Sequence, residues 1–135
     1  MSHTRLICRY PFCAAHRLWR SDWSEETNKK HFGRCTGIHG HDYRIEVHLT
    51  GDVSRETGML INGFAVDEIV GTFISKHLDH KYLNQDIPFF SDHLPTAEMI
   101  AFWVYSSLKA SFPSHVTLEK IVIFETPDLI VEYSV

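Results

Sequence analysis

Three histidines are spaced so that their imidazole rings could meet at one point. His39-Gly40-His41 stands just before an alternating run of residues, and His16 closes an earlier strand-like run that begins at Tyr10. If the two segments pair as antiparallel neighbours, the three rings converge on one ion with no fourth protein ligand. Such open coordination is typical of catalytic zinc, because the vacant position can hold water or substrate, whereas structural sites usually close the tetrahedron. The pattern therefore predicts a catalytic metal centre at His16, His39 and His41.

Two histidines two residues apart are weak evidence alone, because this chain of 135 residues holds ten histidines. Two surface histidines in a tight turn would look the same. Strand parity strengthens the prediction, since side chains two apart in a strand share a face. His39 and His41 continue a row at alternate positions of the following strand, which consists of Tyr43, Ile45, Val47 and Leu49. His48 points to the other face and is predicted to be an ordinary solvent-facing or cross-strand histidine.

The composition, with 44% hydrophobic and 13% aromatic residues, fits one compact domain over residues 1–135. No run approaches the roughly eighteen apolar residues of a membrane span, and the N-terminal segment lacks the order of a secretory signal, which predicts a cytoplasmic protein. The three cysteines favour reduced thiols, with Cys8 and Cys13 most simply small core residues. A net charge of −4 argues against non-specific nucleic-acid binding. One basic cluster could hold a phosphorylated small molecule or be a solvated loop: Lys29, Lys30, His31 and Arg34.

The periodicity predicts the order strand, long loop, strand, helix, helix, strand, strand. Strands are expected over four segments, 5–16, 41–51, 118–126 and 129–133. Helical spacing predicts one helix over 66–78 and a second that begins after Pro95, with Thr96 as its N-cap, and stops at Pro113. The loop between the first two strands shows no clear periodicity. Because connections of that length are usually functional or disordered, and this one holds Cys35, a functional role is favoured.

These elements predict an α+β domain, a four-stranded and mostly antiparallel sheet with two helices on one face, in the order strand-strand-helix-helix-strand-strand. The other face of the sheet would leave residues such as Tyr43, Val47 and Val122 in water. Self-association is the simplest way to cover them.

Seven short segments form a pattern whose order and spacing are far more specific than any one of them. They are Phe12-Cys13-Ala14-Ala15-His16, Phe32-Gly33-Arg34-Cys35, His39-Gly40-His41-Asp42-Tyr43, Gly58-Met59, Leu78-Asp79-His80-Lys81, Pro95-Thr96-Ala97-Glu98 and Phe124-Glu125-Thr126. In this pattern, and over almost its whole length, the chain resembles the family of 6-pyruvoyltetrahydropterin synthases and 6-carboxytetrahydropterin synthases, which share the tunnelling fold.

The resemblance implies a role for each candidate residue. By position, the matches are zinc ligands at His16, His39 and His41, a catalytic cysteine at Cys35, paired acid-base residues at Asp79 and His80, a pterin-anchoring carboxylate at Glu125, and candidate substrate contacts at Thr96 and Glu98. The resemblance also implies 7,8-dihydroneopterin triphosphate as substrate. It further implies a homohexamer of two trimers whose sheets close into a barrel, with sites at subunit interfaces.

The chemistry of these residue types is compatible with those roles. Zinc with an open position can coordinate the substrate's side-chain hydroxyls and stabilise developing negative charge. A thiolate can remove a side-chain proton, although a free cysteine needs a cationic neighbour or a metal to lower its pKa. A carboxylate offers two acceptors to the amino group and ring N–H of a pterin.

Several of the same residues have ordinary structural explanations. Cys35 could be a buried loop thiol. Asp79 and His80 could cap the C-terminus of a helix, where the dipole favours a histidine, and Glu98 suits the positive end of the next helix. Glu125 is less easily explained, because a carboxylate among apolar strand residues is costly unless it is paired.

The sequence mixes features of the two branches of this family. Three residues separate Cys35 from His39, as in carboxy-forming synthases, whereas the long insert before Cys35 and the residue Asn62 look like the pyruvoyl branch. Since the spacing changes where the thiolate meets the substrate, we expect a zinc-dependent lyase that forms 6-carboxytetrahydropterin, acetaldehyde and triphosphate on the route to queuosine-type deazapurines. The alternatives are a 6-pyruvoyltetrahydropterin synthase, which only eliminates triphosphate and rearranges, and a non-catalytic zinc- or pterin-binding protein.

Overall fold

The computed structural model describes residues 3–135 as a sheet of five strands backed by helices. The strands are β1 (Thr4–His16), β2 (His39–Gly51), β3 (Lys81–Tyr82), β4 (Val116–Thr126) and β5 (Leu129–Ser134). Their order in the sheet is β3-β1-β2-β4-β5. All neighbours are antiparallel except β3, which runs parallel to β1 at one edge. The α+β class is confirmed, and the fifth strand is the two-residue β3, which is too short to give a periodic signal.

The first two strands form the longest pairing in the sheet. β1 and β2 stay in register from Thr4 opposite Gly51 to His16 opposite His39. The antiparallel arrangement predicted from the histidines is therefore present. The alternating side chains Tyr43, Ile45, Val47 and Leu49 are all buried against the helices.

The helices lie between the strands in sequence. They are α1 (Glu25–Phe32), α2 (Gly63–Val66), α3 (Thr72–His77), α4 (Leu83–Asp86) and α5 (Ala97–Leu108). A π-helical turn, Asp67–Gly71, joins α2 to α3 without a break. Val66, Val70 and Ile74 project from this continuous segment into the same core as Ile100 and the helix-facing side of the sheet.

The connection between β1 and β2 contains a helix that periodicity did not reveal. Ser24 caps the N-terminus of α1 by accepting a hydrogen bond from the backbone N–H of Thr27. The only buried residue of α1 is Asn28, whose side-chain amide bonds to the backbone of Arg20 at both its oxygen and its nitrogen. Because no apolar stripe faces the core, this helix carries no hydrophobic period.

The two predicted helices are present with shifted ends. The first begins at Gly63 rather than Val66, because the side chain of Asn62 accepts from the backbone N–H of Phe64 and caps it. Thr96 caps α5 as expected, but the helix ends at Leu108, before Pro113 is reached. No helix within residues 3–135 is long and apolar enough to cross a membrane.

The face of the sheet away from the helices differs from the expectation. Tyr43 and Val47 lie on the helix-facing side and are buried there, so they need no further cover. Val122 lies on the other face and is nevertheless only 2% exposed. His48, predicted to be solvent-facing or cross-strand, is buried on this face and contacts Glu46 of its own strand.

A charged network crosses this outer face. Glu46 accepts hydrogen bonds from His48 at 2.9 Å and from Nε of Arg9 at 3.0 Å. The guanidinium of Arg9 also lies over the ring of Phe124. Buried polar side chains are stable when they are paired in this way, so this part of the outer face is polar, and self-association stays a prediction.

Candidate active site

The pairing of β1 and β2 brings the three predicted histidines together at one end of the sheet. His16 lies opposite His39 in the register, and His41 lies opposite Ala14. The ring centroid of His16 lies 4.6 Å from that of His39 and 5.1 Å from that of His41. One ring nitrogen from each of the three lies within 4.8 Å of the others. This separation is close enough for one ion to draw them into a common coordination sphere.

Backbone carbonyls orient two of the rings. Nδ1 of His16 lies 2.7 Å from the carbonyl oxygen of Pro95, and Nδ1 of His39 lies 2.8 Å from that of Gly37. Each contact makes Nδ1 the N–H donor and leaves Nε2 with its lone pair, as in many metal-binding histidines.

The chemistry of the cluster fits a metal ion. Nε2 of His16 and Nε2 of His41 are buried without a hydrogen-bond partner. Unpartnered buried nitrogens are costly, and coordination would satisfy them. Three imidazoles are a donor set for zinc and similar divalent ions. The cluster can therefore hold a metal.

Burial favours the neutral form of the ligands. Burial lowers the pKa of His16 to about 4, against the opposing effect of its hydrogen bond to Pro95. Burial also lowers the pKa of His41, while the nearby Glu125 acts in the other direction. Neutral imidazole is the form that binds metals, so the folded chain presents these rings ready for coordination.

Glu125 lies beside the histidine cluster. Its Oε1 atom is 3.7 Å from Nε2 of His41, too long for a hydrogen bond. Burial, and after it the charge of Glu125, raises the pKa of Tyr43 above its usual range. The carboxylate therefore stands largely buried next to the cluster, where a ligand with two N–H donors could bind it.

Asp79 and His80 lie where α3 gives way to the edge strand β3. Oδ1 of Asp79 accepts the backbone N–H of Cys13 at 2.9 Å, and the backbone N–H of His80 donates to the carbonyl of Cys13 at 2.7 Å. Nε2 of His80 is 3.6 Å from Oδ2 of Asp79. His80 has a positive φ of 59°, in the left-handed region that few residues other than glycine adopt.

Asp79 and His80 lie beside Cys13, on the side of β1 opposite to its buried row. Along β1, Phe12, Ala14 and His16 are buried on the helix side, whereas the intervening Cys13 points the other way. The Cys13 sulfur lies within 4.8 Å of ligand atoms of Asp79 and His80. The pair therefore belongs to the outer side.

Cys35 lies in a short 3₁₀ turn, Gly33–Thr36, that follows α1. Its carbonyl accepts the N–H of Leu18, which ties the turn to the chain just beyond His16. The thiol is partly exposed. Within residues 3–135, no hydrogen bond or ion pair joins Cys35 to Asp79 or His80.

The remaining candidates have structural contacts. The hydroxyl of Thr96 accepts the backbone N–H of Met99 at 3.2 Å as the cap of α5, and Glu98 is exposed in the first turn of that helix. In the basic cluster, Lys29 pairs with Glu25 at 2.9 Å on the surface of α1. The structural contacts of these residues account for their positions without a bound ligand. Substrate contacts by Thr96 and Glu98 therefore stay predictions.

Two contributions to the site were not apparent from the sequence. The carbonyls of Pro95 and Gly37 orient the histidines through backbone atoms, for which no residue type is a signal. Cys13 was interpreted as a core residue, but it lies between Phe12 and Ala14 of the buried row. Strand parity could have placed it on the outer face.

The chain is an α+β sheet with three convergent imidazoles at the end of a strand pair, an arrangement that could hold a metal ion. A family model described as "6-pyruvoyl tetrahydropterin synthase" matches residues 5–135. The chain belongs to this family. The resemblance stated from the motifs is confirmed, and so is the prediction that the protein is an enzyme.

Individual relatives carry the names of both branches. The chain is 36% identical over 127 residues to a human protein named "6-pyruvoyl tetrahydrobiopterin synthase", covering 93% of this chain and 87% of the relative. It is 32% identical over 104 residues to a "6-carboxy-5,6,7,8-tetrahydropterin synthase" of Synechocystis, covering 74% and 70%. The structure of Caenorhabditis elegans 6-pyruvoyl tetrahydropterin synthase superposes with a TM-score of 0.91 at 32% identity, covering 100% of this chain and 97% of that one.

Proposed function

We propose that this protein is a 6-pyruvoyltetrahydropterin synthase, which eliminates triphosphate from 7,8-dihydroneopterin triphosphate and rearranges the side chain on the route to tetrahydrobiopterin. The observation that carries the proposal is the convergence of His16, His39 and His41 beside Glu125 in a chain of this family. The relatives with the higher identity and coverage support the pyruvoyl product.

This proposal replaces the carboxy-forming reaction favoured by the sequence. That preference rested on the three residues between Cys35 and His39, and the carboxy-forming relative matches a smaller part of the chain. Two features of the sequence favour the pyruvoyl branch, namely the insert before Cys35 and Asn62, and both have a structural role. The insert forms the capped helix α1, and Asn62 caps α2. Asn62 is a weak marker, because an aspartate could cap the helix equally well.

The three histidines would hold zinc, which we propose as the metal because three imidazoles with an open position suit it. When bound, zinc supplies Lewis acidity that lowers the pKa of substrate hydroxyls. The protein's own contribution is to keep the rings neutral by burial and to fix the tautomer of His16 through the carbonyl of Pro95.

Glu125 is proposed to anchor the pterin. Its carboxylate can accept two N–H bonds from the amino group and ring nitrogen, and this places the substrate side chain toward the neighbouring His41. Cys35 is proposed to remove a side-chain proton. His80, whose ring lies beside Asp79, is proposed to pass protons to and from the reacting carbons.

The placement of Asp79 and His80 supports an assembled site. In a single chain both residues lie beside Cys13, on the side of β1 opposite to the buried row that ends in His16. We propose that a second copy supplies the pair to the cluster, as expected for a homohexamer of two trimers with sites at subunit interfaces.

The deciding experiment is a product analysis of zinc-loaded protein incubated with 7,8-dihydroneopterin triphosphate. The expected result is one triphosphate released per three-carbon pterin product, with no acetaldehyde. Acetaldehyde released in step with triphosphate would restore the carboxy-forming reaction. Release of neither compound would favour a non-catalytic pterin- or zinc-binding protein.

A further inference from the structure

We propose that Cys13, Asp79 and His80 form a second metal-binding site, for a thiophilic divalent cation such as Zn²⁺ or Co²⁺, on the outer side of the sheet. The proposal concerns residues that the histidine cluster does not use. It does not depend on which reaction the enzyme performs.

The ligand atoms are already near one another. The Cys13 sulfur, a carboxylate oxygen of Asp79 and a ring nitrogen of His80 all lie within 4.8 Å of each other. The 3.6 Å between Nε2 of His80 and Oδ2 of Asp79 is too long for a hydrogen bond. It is close to the roughly 3.3 Å that separates two ligands on one tetrahedral zinc.

Backbone contacts hold the three residues in place. Oδ1 of Asp79 is fixed by the N–H of Cys13, which leaves Oδ2 free to coordinate. The N–H of His80 donates to the carbonyl of Cys13 from the other side, and β3 continues that attachment by pairing with β1. A carboxylate oriented by a backbone N–H is the kind of outer contact that supports metal ligands.

In the single chain, the site is open to an ion from solvent. The side chain of His80 is 78% exposed, and it lines a cavity of about 510 Å³ together with Cys13, His41 and Tyr82. An exposed cavity leaves a coordination position for water. A thiolate and a carboxylate together neutralise a dication, and the thiol releases one proton to solvent when the metal–sulfur bond forms.

The left-handed backbone of His80 is consistent with a constrained ligand. This conformation is unfavourable for a residue other than glycine. It persists because the hydrogen bond to Cys13 and the start of β3 fix the chain on both sides. The ring is thereby placed beside Asp79.

One consequence rests on the proposed function. If Asp79 and His80 relay protons, a cation bound to them removes that relay. Metal beyond the first equivalent then inhibits turnover, and the inhibition disappears in Cys13→Ser, where the sulfur ligand is missing.

The test is a Co²⁺ titration of the metal-free, full-length protein, monitored by bound equivalents and by the sulfur-to-cobalt charge-transfer band. We expect two equivalents per chain and the band in wild type. Cys13→Ser should lose one equivalent and the band, whereas Cys8→Ser, on the helix-facing side of the same strand, should keep both. His39→Ala should lose the other equivalent and keep the band.

A second variant guards against misfolding as the cause of loss. His80→Asn removes the ring nitrogen, and asparagine tolerates the left-handed backbone, so the fold is retained by circular dichroism while one equivalent is lost. A single equivalent in wild type without the band would overturn the proposal, as would a band that survives Cys13→Ser and vanishes in Cys35→Ser. These outcomes are read from metal binding, so they are independent of the product analysis.

Discussion

The carbonyl oxygen of Pro95 accepts a 2.7 Å hydrogen bond from Nδ1 of His16, across 79 residues of sequence. This contact connects the segment leading into α5 to the end of β1. It fixes which nitrogen of His16 carries the proton, and it leaves Nε2 buried and unpartnered among the other histidines. The segment that leads into α5 thus sets the tautomer of a candidate metal ligand.

The first prediction concerns the metal ligands. Replacing His16, His39 or His41 with alanine should abolish binding at the histidine cluster, because two imidazoles hold an ion much more weakly than three. Cys35→Ala should retain that ion, since the thiol is not counted among the ligands. Metal analysis of zinc-loaded, dialysed proteins measures this. Retention of that zinc in His39→Ala, or its loss in Cys35→Ala, would contradict the assignment.

The second prediction concerns Glu46, the buried carboxylate of the outer face. Burial raises its pKa, but the hydrogen bonds from His48 and Arg9 outweigh burial and hold the pKa below its ordinary value. Folding therefore favours the ionised form of Glu46. The resulting stabilisation is fully present above the pKa of Glu46 in the unfolded chain, and it is lost as the pH falls through the lower pKa of the folded chain. Glu46→Gln should lower the free energy of unfolding at neutral pH by about 1–3 kcal/mol.

Urea unfolding between about pH 6 and pH 3 checks both parts of this prediction. Stability in Glu46→Gln should depend less steeply on pH than in wild type. Glu132→Gln is the matched control, because Glu132 lies on the same face but is exposed in its pair with Lys120. Equal losses in the two variants would mean that the buried network adds nothing.

The parts of the fold that the sequence predicted have a regular period or a strong end signal. The row from Tyr43 to Leu49 was recognised because alternate residues are buried, and the start of α5 because Thr96 is a good cap. Helix α1 was missed because its one buried residue, Asn28, is polar. The outer face was misjudged because Glu46 and His48 are stabilised by each other and by Arg9, which an apolar count does not detect.

The same reasoning explains what could be predicted of the site. Histidines at the ends of two paired strands follow strand parity, so their convergence could be predicted from spacing. The attachment of Asp79 to Cys13 could not, because it is a side-chain to backbone bond over 66 residues. The lack of a contact between Asp79 and Cys35 could not be predicted either, because it depends on the path of the loops that carry them.

The third prediction concerns Glu125. Glu125→Gln replaces one acceptor with a donor that faces the donors of the pterin, so the dissociation constant for the pterin should rise at least tenfold. Metal content should not change, because the carboxylate is beside His41 but not bonded to it. Calorimetry with a pterin ligand measures the affinity. The control is Glu119→Gln on the same strand, whose carboxylate pairs with Arg5. Unchanged affinity in Glu125→Gln would exclude the anchor role.

The fourth prediction tests whether the active site is shared between copies. Cys35→Ala and His80→Asn should each be nearly inactive when every subunit carries the change. Because Asp79 and His80 lie beside Cys13, on the side of β1 opposite to the buried histidine row, a site should combine Cys35 of one copy with His80 of another. Mixed assemblies of the two variants should therefore contain some intact sites.

The recovered activity discriminates between the two arrangements. If subunits mix randomly at equal amounts, about one site in four pairs an intact Cys35 with an intact His80, so activity should return to about a quarter of wild type. If both residues acted from one chain, every site would keep one lesion and no activity would return. The control is the double variant, with both changes in one chain, mixed with wild type. Shared sites predict about a quarter of wild-type activity there too, whereas single-chain sites predict about half.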